Sequence, residues 1–270
     1  MSVNFRNLFE LLIAVALSTV ILSYPYYDPE AIIIFGLIPS MCIILHEYAH
    51  KITAEKHGKV SVRIKACIPG IILGIVTAIK TNGSLIIMLP AHTTWEEEIS
   101  PLEVLFDLSP ERIVEERYRR NLRVESEIAV AGPAINGLIS ITILAILILI
   151  KVVYGSYEEY LAINVGSYLN FLLPIILLNL VWFNGLLAFI NLVPLPIPTI
   201  TFMPPFLAYT DGLILVMNSL ELIREGYYRD IPWMKTVISI IGALTFILVA
   251  LMGFVSSELY AAYEVITGEQ

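Results

Sequence analysis

The sequence predicts an all-α polytopic membrane protein. We expect five transmembrane helices, or six if residues 206–224 also cross, and a membrane-associated β-hairpin or small sheet after the second helix. Only 15% of the 270 residues are charged and 57% are hydrophobic, whereas a soluble domain carries about 25% charged residues. The mean hydropathy is +0.80. Residues 1–270 are predicted to form a single domain with a core at about 31–215.

The spans follow from apolar segments of roughly the 20 residues that a helix needs to cross a bilayer. A further apolar region, 161–197, is too long for one straight helix and predicts a tilted span that ends near Asn191 and is bent by Pro174. The segments that qualify directly are 7–24, 31–50, 127–150 and 234–255.

The distribution of Lys and Arg predicts the orientation. With the amino terminus inside, the inner side holds all basic residues from Lys51 to Arg123, whereas the outer side holds only Lys151. Cytoplasmic loops carry this excess of positive charge, so the carboxyl end of the second span faces the cytoplasm. The isoleucine-rich spans and the Lys- and Glu-bearing loops suggest a prokaryotic cell membrane. The lipid bilayer is then the first partner, and these patterns leave the oligomeric state open.

Two features lie between the second and third spans. Residues 60–66 and 71–89 alternate or run apolar, with Asn82-Gly83 as a tight-turn signal, and predict a β-hairpin on or dipping into the membrane surface. The polar insertion at about 90–124 includes a helix that starts at Pro110. This helix is basic and amphipathic, and predicts either a headgroup-touching helix or a lid over a site.

Composition excludes some partners. The net charge of −8 leaves no basic face for phosphates, so we expect no nucleic acid partner. Cys42 and Cys67 are too few for a disulfide framework and predict buried or reduced thiols.

The stretch "HEYAH", residues 46–50, indicates a metal site. His46 and His50 are four apart and therefore share one helix face, where they can grip one ion. Glu47 lies beside them, within reach of a metal-bound water. Ionisable residues in a span are costly and usually functional.

A catalytic zinc needs a third protein ligand. His57 misses the metzincin spacing by one residue and precedes Gly58, so it predicts a helix end; His92 predicts a surface loop residue. Asp211 is the aspartate with an apolar context, after a proline-rich break. From these residues alone, a metal ligand and a helix N-cap remain equal alternatives for Asp211.

Four motifs together resemble the site-2 protease family of intramembrane zinc metalloproteases. They are "HEYAH", "AGPAIN" at 131–136, "NLVPLP" at 191–196 and "DG" at 211–212, in the family's order. The resemblance implies one Zn²⁺ bound by His46, His50 and Asp211, with Glu47 as general base and Asn191 steadying the substrate or the oxyanion. The sequence departs from the family in the long insertion "IPTITFMPPFLAY" before Asp211, which either bulges out as a loop or changes the third ligand. Glu125 and Glu127 are the fallback ligands.

The "AGPAIN" stretch also has a physical interpretation. Gly132 lets the third span approach its neighbour closely, and Pro133 breaks an internal helix bond. Asn136 is expected to satisfy a freed backbone group or a neighbouring helix, with substrate binding as the alternative.

The expected activity is peptide-bond hydrolysis within the transmembrane segment of a membrane-spanning protein substrate. Two alternatives remain: a membrane protease of the isoprenyl-cysteine type with a glutamate as third ligand, and a non-proteolytic membrane protein that binds zinc as a scaffold or a transporter. The glutamate between the histidines weighs against a mere binder.

Overall fold

The computed structural model describes residues 5–84, 86–96, 110–164, 166–192, 196–197, 208–209 and 211–224, with scattered helical residues between 253 and 265. Helices dominate this part of the chain, and two small antiparallel sheets accompany them. The elements are α1 (Phe5–Leu22), α2 (Pro29–Lys56), β1 (Val60–Ala66), α3 (Ile68–Lys80), β2 (Ala91–Glu96), α4 (Pro110–Tyr154), α5 (Tyr157–Asn164), α6 (Tyr168–Leu192), β3 (Pro196–Ile197), β4 (Ala208–Tyr209) and α7 (Asp211–Arg224).

Three of the described helices are long and apolar enough to cross a membrane: Pro29–Lys56, Tyr118–Tyr154 and Leu172–Leu192. Two shorter apolar helices, Phe9–Leu22 and Ile68–Lys80, accompany them. The prediction of a mostly helical protein is therefore confirmed in the described residues, and the length and composition of these helices indicate a membrane protein. The predicted span at 234–255 lies almost wholly outside the described residues, and the number of spans stays a prediction.

The α2 helix is irregular near its start and regular at its end. Asp28 caps it, accepting a bond from the backbone N–H of Ala31 at 2.8 Å. Residues Ile32–Leu37 form a π-helical stretch just before Pro39, which has no N–H to donate.

The carboxyl end of α2 follows the prediction for His57. The helix ends at this residue, and Gly58 adopts a φ of 75°. The backbone N–H of Lys59 then donates to the carbonyl of Ala54 at 3.0 Å, which is a glycine-based C-cap.

The β-hairpin predicted for 71–89 is wrong. Its first part is helix α3, because Gly70, Gly74 and Ala78 recur every four residues and form a buried helix face. The Asn82-Gly83 turn does form, with φ values of 50° and 79°. The returning chain is extended and hydrogen-bonds the helix: the N–H of Ile87 donates to Thr77 Oγ1 at 3.0 Å.

The small sheet predicted after the second span is formed by β1 and β2 instead. These strands pair antiparallel, with Ile64 opposite Thr93 and Lys65 opposite His92. The register shifts near Ser61, whose φ is 53°. His92, predicted as a surface loop residue, therefore lies in a strand and is half-buried.

The third predicted span and the polar helix before it are one element. The predicted start at Pro110 is confirmed, and the helix continues without a break to Tyr154 as α4. Residues 110–124 therefore extend the span in line. The apolar region 161–197, predicted as one bent span, contains two helices, α5 and α6, and α6 ends at Leu192, next to the predicted end at Asn191.

Two buried clusters fix the helices around α4. At the carboxyl end of α2, Ala54 packs with Val124 and Ile128 of α4 and Val62 of β1. Beside it, Ala129 of α4 packs with Leu215 of α7. The α4 helix thus contacts both segments that carry the predicted ligands.

Candidate metal centre

Three residues of the HEYAH stretch, the two histidines and the glutamate, lie on a buried face of α2. His46, Glu47 and His50 are 5%, 6% and 7% exposed. The two imidazole rings meet edge to face, with centroids 4.7 Å apart. One ligand atom from each of the three residues lies within 4.8 Å of the others, and this group could hold a metal ion.

Asp211 lies at the same place. Its Oδ2 is 3.3 Å from Nε2 of His46 and 3.5 Å from Nε2 of His50. Asp211 is the first residue of α7, and its side chain is only 14% exposed. The structure thus brings together the three residues that the resemblance implied as ligands.

Two contacts hold Asp211 in place despite the insertion before it. β3 and β4 pair across the insertion, Pro196 with Tyr209 and Ile197 with Ala208, so its two ends are adjacent. A Cβ at Gly212 would lie 2.0 Å from the carbonyl oxygen of Leu192. The start of α7 therefore packs directly on the end of α6. The part of the insertion between these two strands, residues 198–207, lies outside the described residues.

Gly132 of α4 faces both histidines. A Cβ added there would lie 2.5 Å from Nε2 of His46 and 2.5 Å from Nε2 of His50. Real Cβ atoms do not approach this closely, so a larger residue here would force the imidazole rings or the helices to shift. The predicted close approach of the third span is confirmed at this residue.

His50 has a hydrogen-bond partner on α4. Its Nδ1 lies 2.6 Å from the carbonyl oxygen of Ile128, and if Nδ1 carries the proton, Nε2 is left with its lone pair free. Ile128 directly precedes Ala129, whose carbonyl loses its helical donor because Pro133, buried inside the helix, has no N–H. His46 differs, since its Nδ1 forms no hydrogen bond with any described residue.

Glu47 is held by a strand residue that sequence reasoning missed. The hydroxyl oxygen of Thr93 on β2 lies 2.8 Å from Oε2 of Glu47 and 2.9 Å from its backbone carbonyl oxygen. The hydroxyl has one hydrogen to share between these acceptors. Nothing in the local sequence of Thr93 signals this contact, and its neighbour His92 is predicted as a surface loop residue.

The two predicted asparagines have different surroundings. Asn191 is in the last turn of α6, beside the contact between Leu192 and Gly212, and its amide donates to the carbonyl of Leu187 at 3.0 Å. Asn136 is fully buried, and neither of its amide atoms bonds a described residue. The bond predicted from Asn136 to a freed backbone group is therefore not found among the described residues.

Glu127, a fallback ligand, is engaged elsewhere. Its Oε2 lies 2.8 Å from Nε2 of His57, and its Oε1 lies 3.4 Å from Nε of Arg123. These contacts join the end of α2 to α4.

No protein-family model matches the chain, and neither a curated protein nor a solved structure matches it.

Proposed function

We propose that the protein is a zinc-dependent intramembrane endopeptidase. The observation that carries this proposal is the approach of the Asp211 carboxylate to the outer nitrogens of both histidines, at 3.3 Å and 3.5 Å. These residues come from two different helices, α2 and α7. Their side chains are polar, so bringing them together in a buried position does not bury apolar surface. A buried cluster of this kind is typical of a metal centre.

The distances fit a tetrahedral zinc ion. Zinc bonds nitrogen and carboxylate oxygen at about 2.0–2.2 Å, which places two ligands of one tetrahedral ion about 3.3–3.6 Å apart. Gly132 supports the same interpretation, since a Cβ there would fill the space in front of both Nε2 atoms. Two imidazoles and one carboxylate would leave the fourth position open, as in catalytic rather than structural zinc sites.

The chain's own residues account for the proton transfers. Bound zinc supplies Lewis acidity and a water molecule of lowered pKa. Glu47 is within 4.8 Å of the histidine nitrogens and takes the proton of the attacking water, then gives it to the leaving amine. The hydrogen bond from Thr93 orients the carboxylate for both transfers.

Asn191 is proposed to donate a hydrogen bond to the developing oxyanion. Its position beside the Leu192–Gly212 contact puts it next to Asp211. The amide would exchange its bond to Leu187 for one to the substrate. An oxyanion donor of this kind contributes about 3–4 kcal/mol where one has been removed from other enzymes.

A helical substrate must unwind before its carbonyls are accessible. The proposed acceptor for the unwound segment is β2, in place of the hairpin predicted at 71–89. In the described part of the chain β2 pairs with one strand only, β1, and its Thr93 contacts Glu47. A substrate strand added to β2 would then lie beside the general base.

The proposed function is tested with a panel of single-span reporter proteins, each with helix-destabilising residues in its span, reconstituted with the enzyme in liposomes. Glu47→Gln should abolish cleavage while bound zinc stays near normal. Glu55→Gln is the matched control, because Glu55 is on the same helix, is exposed and pairs with Lys51 at the surface. Cleavage by Glu47→Gln at the wild-type rate would overturn the mechanism. Zinc binding without cleavage of any reporter would favour the non-proteolytic alternative.

A further inference from the structure

A second buried polar layer lies one helical turn away from the histidines. Its members are Asn136 of α4 and Asn184 of α6, both 0% exposed. Both amide atoms of Asn136, Oδ1 of Asn184 and Nδ1 of His46 form no hydrogen bond with any described residue. Buried polar atoms are nearly always paired in proteins, with ordered water where protein groups are missing. These four buried atoms therefore call for hydrogen-bond partners beyond the described residues.

The antiparallel packing of α2 and α4 defines this layer. Along α2, Ala54 packs with Val124, and His50 bonds Ile128. His46 then faces Gly132. Each step moves four residues back along α2 and four forward along α4, so the next step is expected to place Cys42 opposite Asn136.

The α6 helix reaches the same level. The amide nitrogen of Asn184 donates to Sγ of Cys42 at 3.2 Å. One turn further along α4, Ser140 donates to the carbonyl of Val181 at 2.8 Å. Asn136, Asn184 and Cys42 therefore share one layer beneath the histidines.

The side chains of this layer and of His46 approach each other. A helical side chain leans toward the amino end of its own helix. Because the two helices are antiparallel, Asn136 leans toward the Gly132 level and His46 leans toward the Cys42 level. A Cβ at Gly132 would lie 2.6 Å from Cε1 of His46, the ring carbon bonded to Nδ1. The Asn136 level lies about one helical turn, or 5.4 Å, beyond the Gly132 level, a gap that one water molecule can bridge.

We propose that Asn136 and Asn184 hold a buried water molecule beneath His46, and that this water fixes the imidazole ring for metal binding. The water accepts the Nδ1–H of His46 and an N–H of Asn136, and donates to Oδ1 of Asn184. A metal-ligating histidine almost always bonds such a partner through its other nitrogen. Ile128 serves His50 in this way, and the water serves His46. Asn136 and Asn184 are then positioning residues for the metal centre, which rests on the zinc site proposed above.

The test is a titration of Zn²⁺ into the metal-free protein in detergent, against a competing chelator. Asn136→Leu and Asn184→Leu should each weaken zinc binding about 10- to 100-fold. Asn136→Ser should lose less, because its hydroxyl can still bond a water. Ser140→Ala is the matched control: it removes a bond between α4 and α6 one turn away, so it should lower the Tm and leave zinc affinity unchanged.

The Tm of each metal-free variant separates positioning from packing. The inference is supported if the leucine variants bind zinc more weakly although their Tm is no lower than that of Ser140→Ala. Asn136→Ser should then bind zinc more tightly than Asn136→Leu. The inference is overturned if both leucine variants bind zinc like the wild type. It is equally overturned if affinity falls only in proportion to Tm, including in Ser140→Ala. A wild-type protein that binds no zinc would instead remove the proposed function itself.

Discussion

Gly132 of α4 lies so close to His46 of α2 that a Cβ on the glycine would sit 2.5 Å from the Nε2 of the histidine. The same Cβ would be 2.5 Å from Nε2 of His50. The glycine thus has two effects: it lets the two helices pack closely, and it keeps the ligand nitrogens accessible. Within the predicted face of small residues, Gly132 is thus the position where an added side chain would meet both histidines.

Gly132→Ala is therefore expected to impair metal binding. The methyl group would occupy the space in front of both nitrogens, and the packed helices cannot separate cheaply. Zinc affinity should fall at least about tenfold, or about 1.4 kcal/mol, measured by chelator competition. Gly137→Ala on the same helix is the control, because a Cβ there meets nothing within 4 Å. Equal affinities for the two variants would contradict the predicted role.

Thr93→Val should slow catalysis without removing the metal. The substitution deletes the hydroxyl that bonds Oε2 of Glu47 at 2.8 Å, so the general base loses its orientation. General bases contribute about 10²–10⁴-fold, and we expect turnover to fall about tenfold with zinc content unchanged. Thr93→Ser should restore most of the rate. Thr94→Val is the control, because it alters the next residue, whose hydroxyl donates to the carbonyl of Arg63 at 3.4 Å. A similar loss in that variant would point to the strand rather than to the Thr93 hydroxyl.

Gly212→Ala should displace Asp211. The added Cβ would lie 2.0 Å from the carbonyl oxygen of Leu192, a backbone atom that cannot move without shifting α6 or α7. We expect a destabilisation of about 1–3 kcal/mol, as for other overpacked sites, together with weaker zinc binding. Thermal unfolding and chelator competition measure the two effects. Gly166→Ala, where a Cβ meets nothing within 4 Å, should change neither.

The stability of the small sheet should depend on pH through His92. Burial lowers the pKa of His92, and the positive charge of Lys65 lowers it further. The folded protein then binds a proton less readily than the unfolded chain, whose histidine pKa is about 6.5. The contribution of neutral His92 to stability is therefore fully present above about pH 6.5 and decreases as the pH falls below that value. Tm measured across this range should decline less in His92→Gln than in the wild type; parallel curves would contradict the prediction.

Local patterns predicted the elements that depend on local chemistry. The four-residue spacing of His46 and His50 and the Gly58 helix end both follow from helix geometry, and the structure has them as predicted. The Asn82-Gly83 turn also formed, but the apolar run before it was mistaken for a strand. The spacing of Gly70 and Gly74 is a helical signal within that run.

Contacts between distant segments were not predictable in the same way. β1 pairs with residues 91–96 rather than with the residues that directly follow it. The reason is that α3 comes next, and the chain after α3 returns alongside that helix to the end of β1. Thr93 reaches Glu47 only as a result of that pairing. Asp211 was an even choice between ligand and helix cap on its own residues, and only the resemblance of four motifs favoured the ligand.

The central claim is that Asp211 completes the metal centre, and metal analysis of purified variants tests it most directly. Zinc per protein is measured for the wild type, Asp211→Ala and Glu127→Ala after dialysis against a weak chelator. Glu127 is the matched carboxylate, since it pairs with His57 at 2.8 Å. We expect about one zinc in the wild type and in Glu127→Ala, and a large loss in Asp211→Ala. Full zinc in Asp211→Ala, with loss in Glu127→Ala, would contradict the claim and favour a site of the isoprenyl-cysteine protease type.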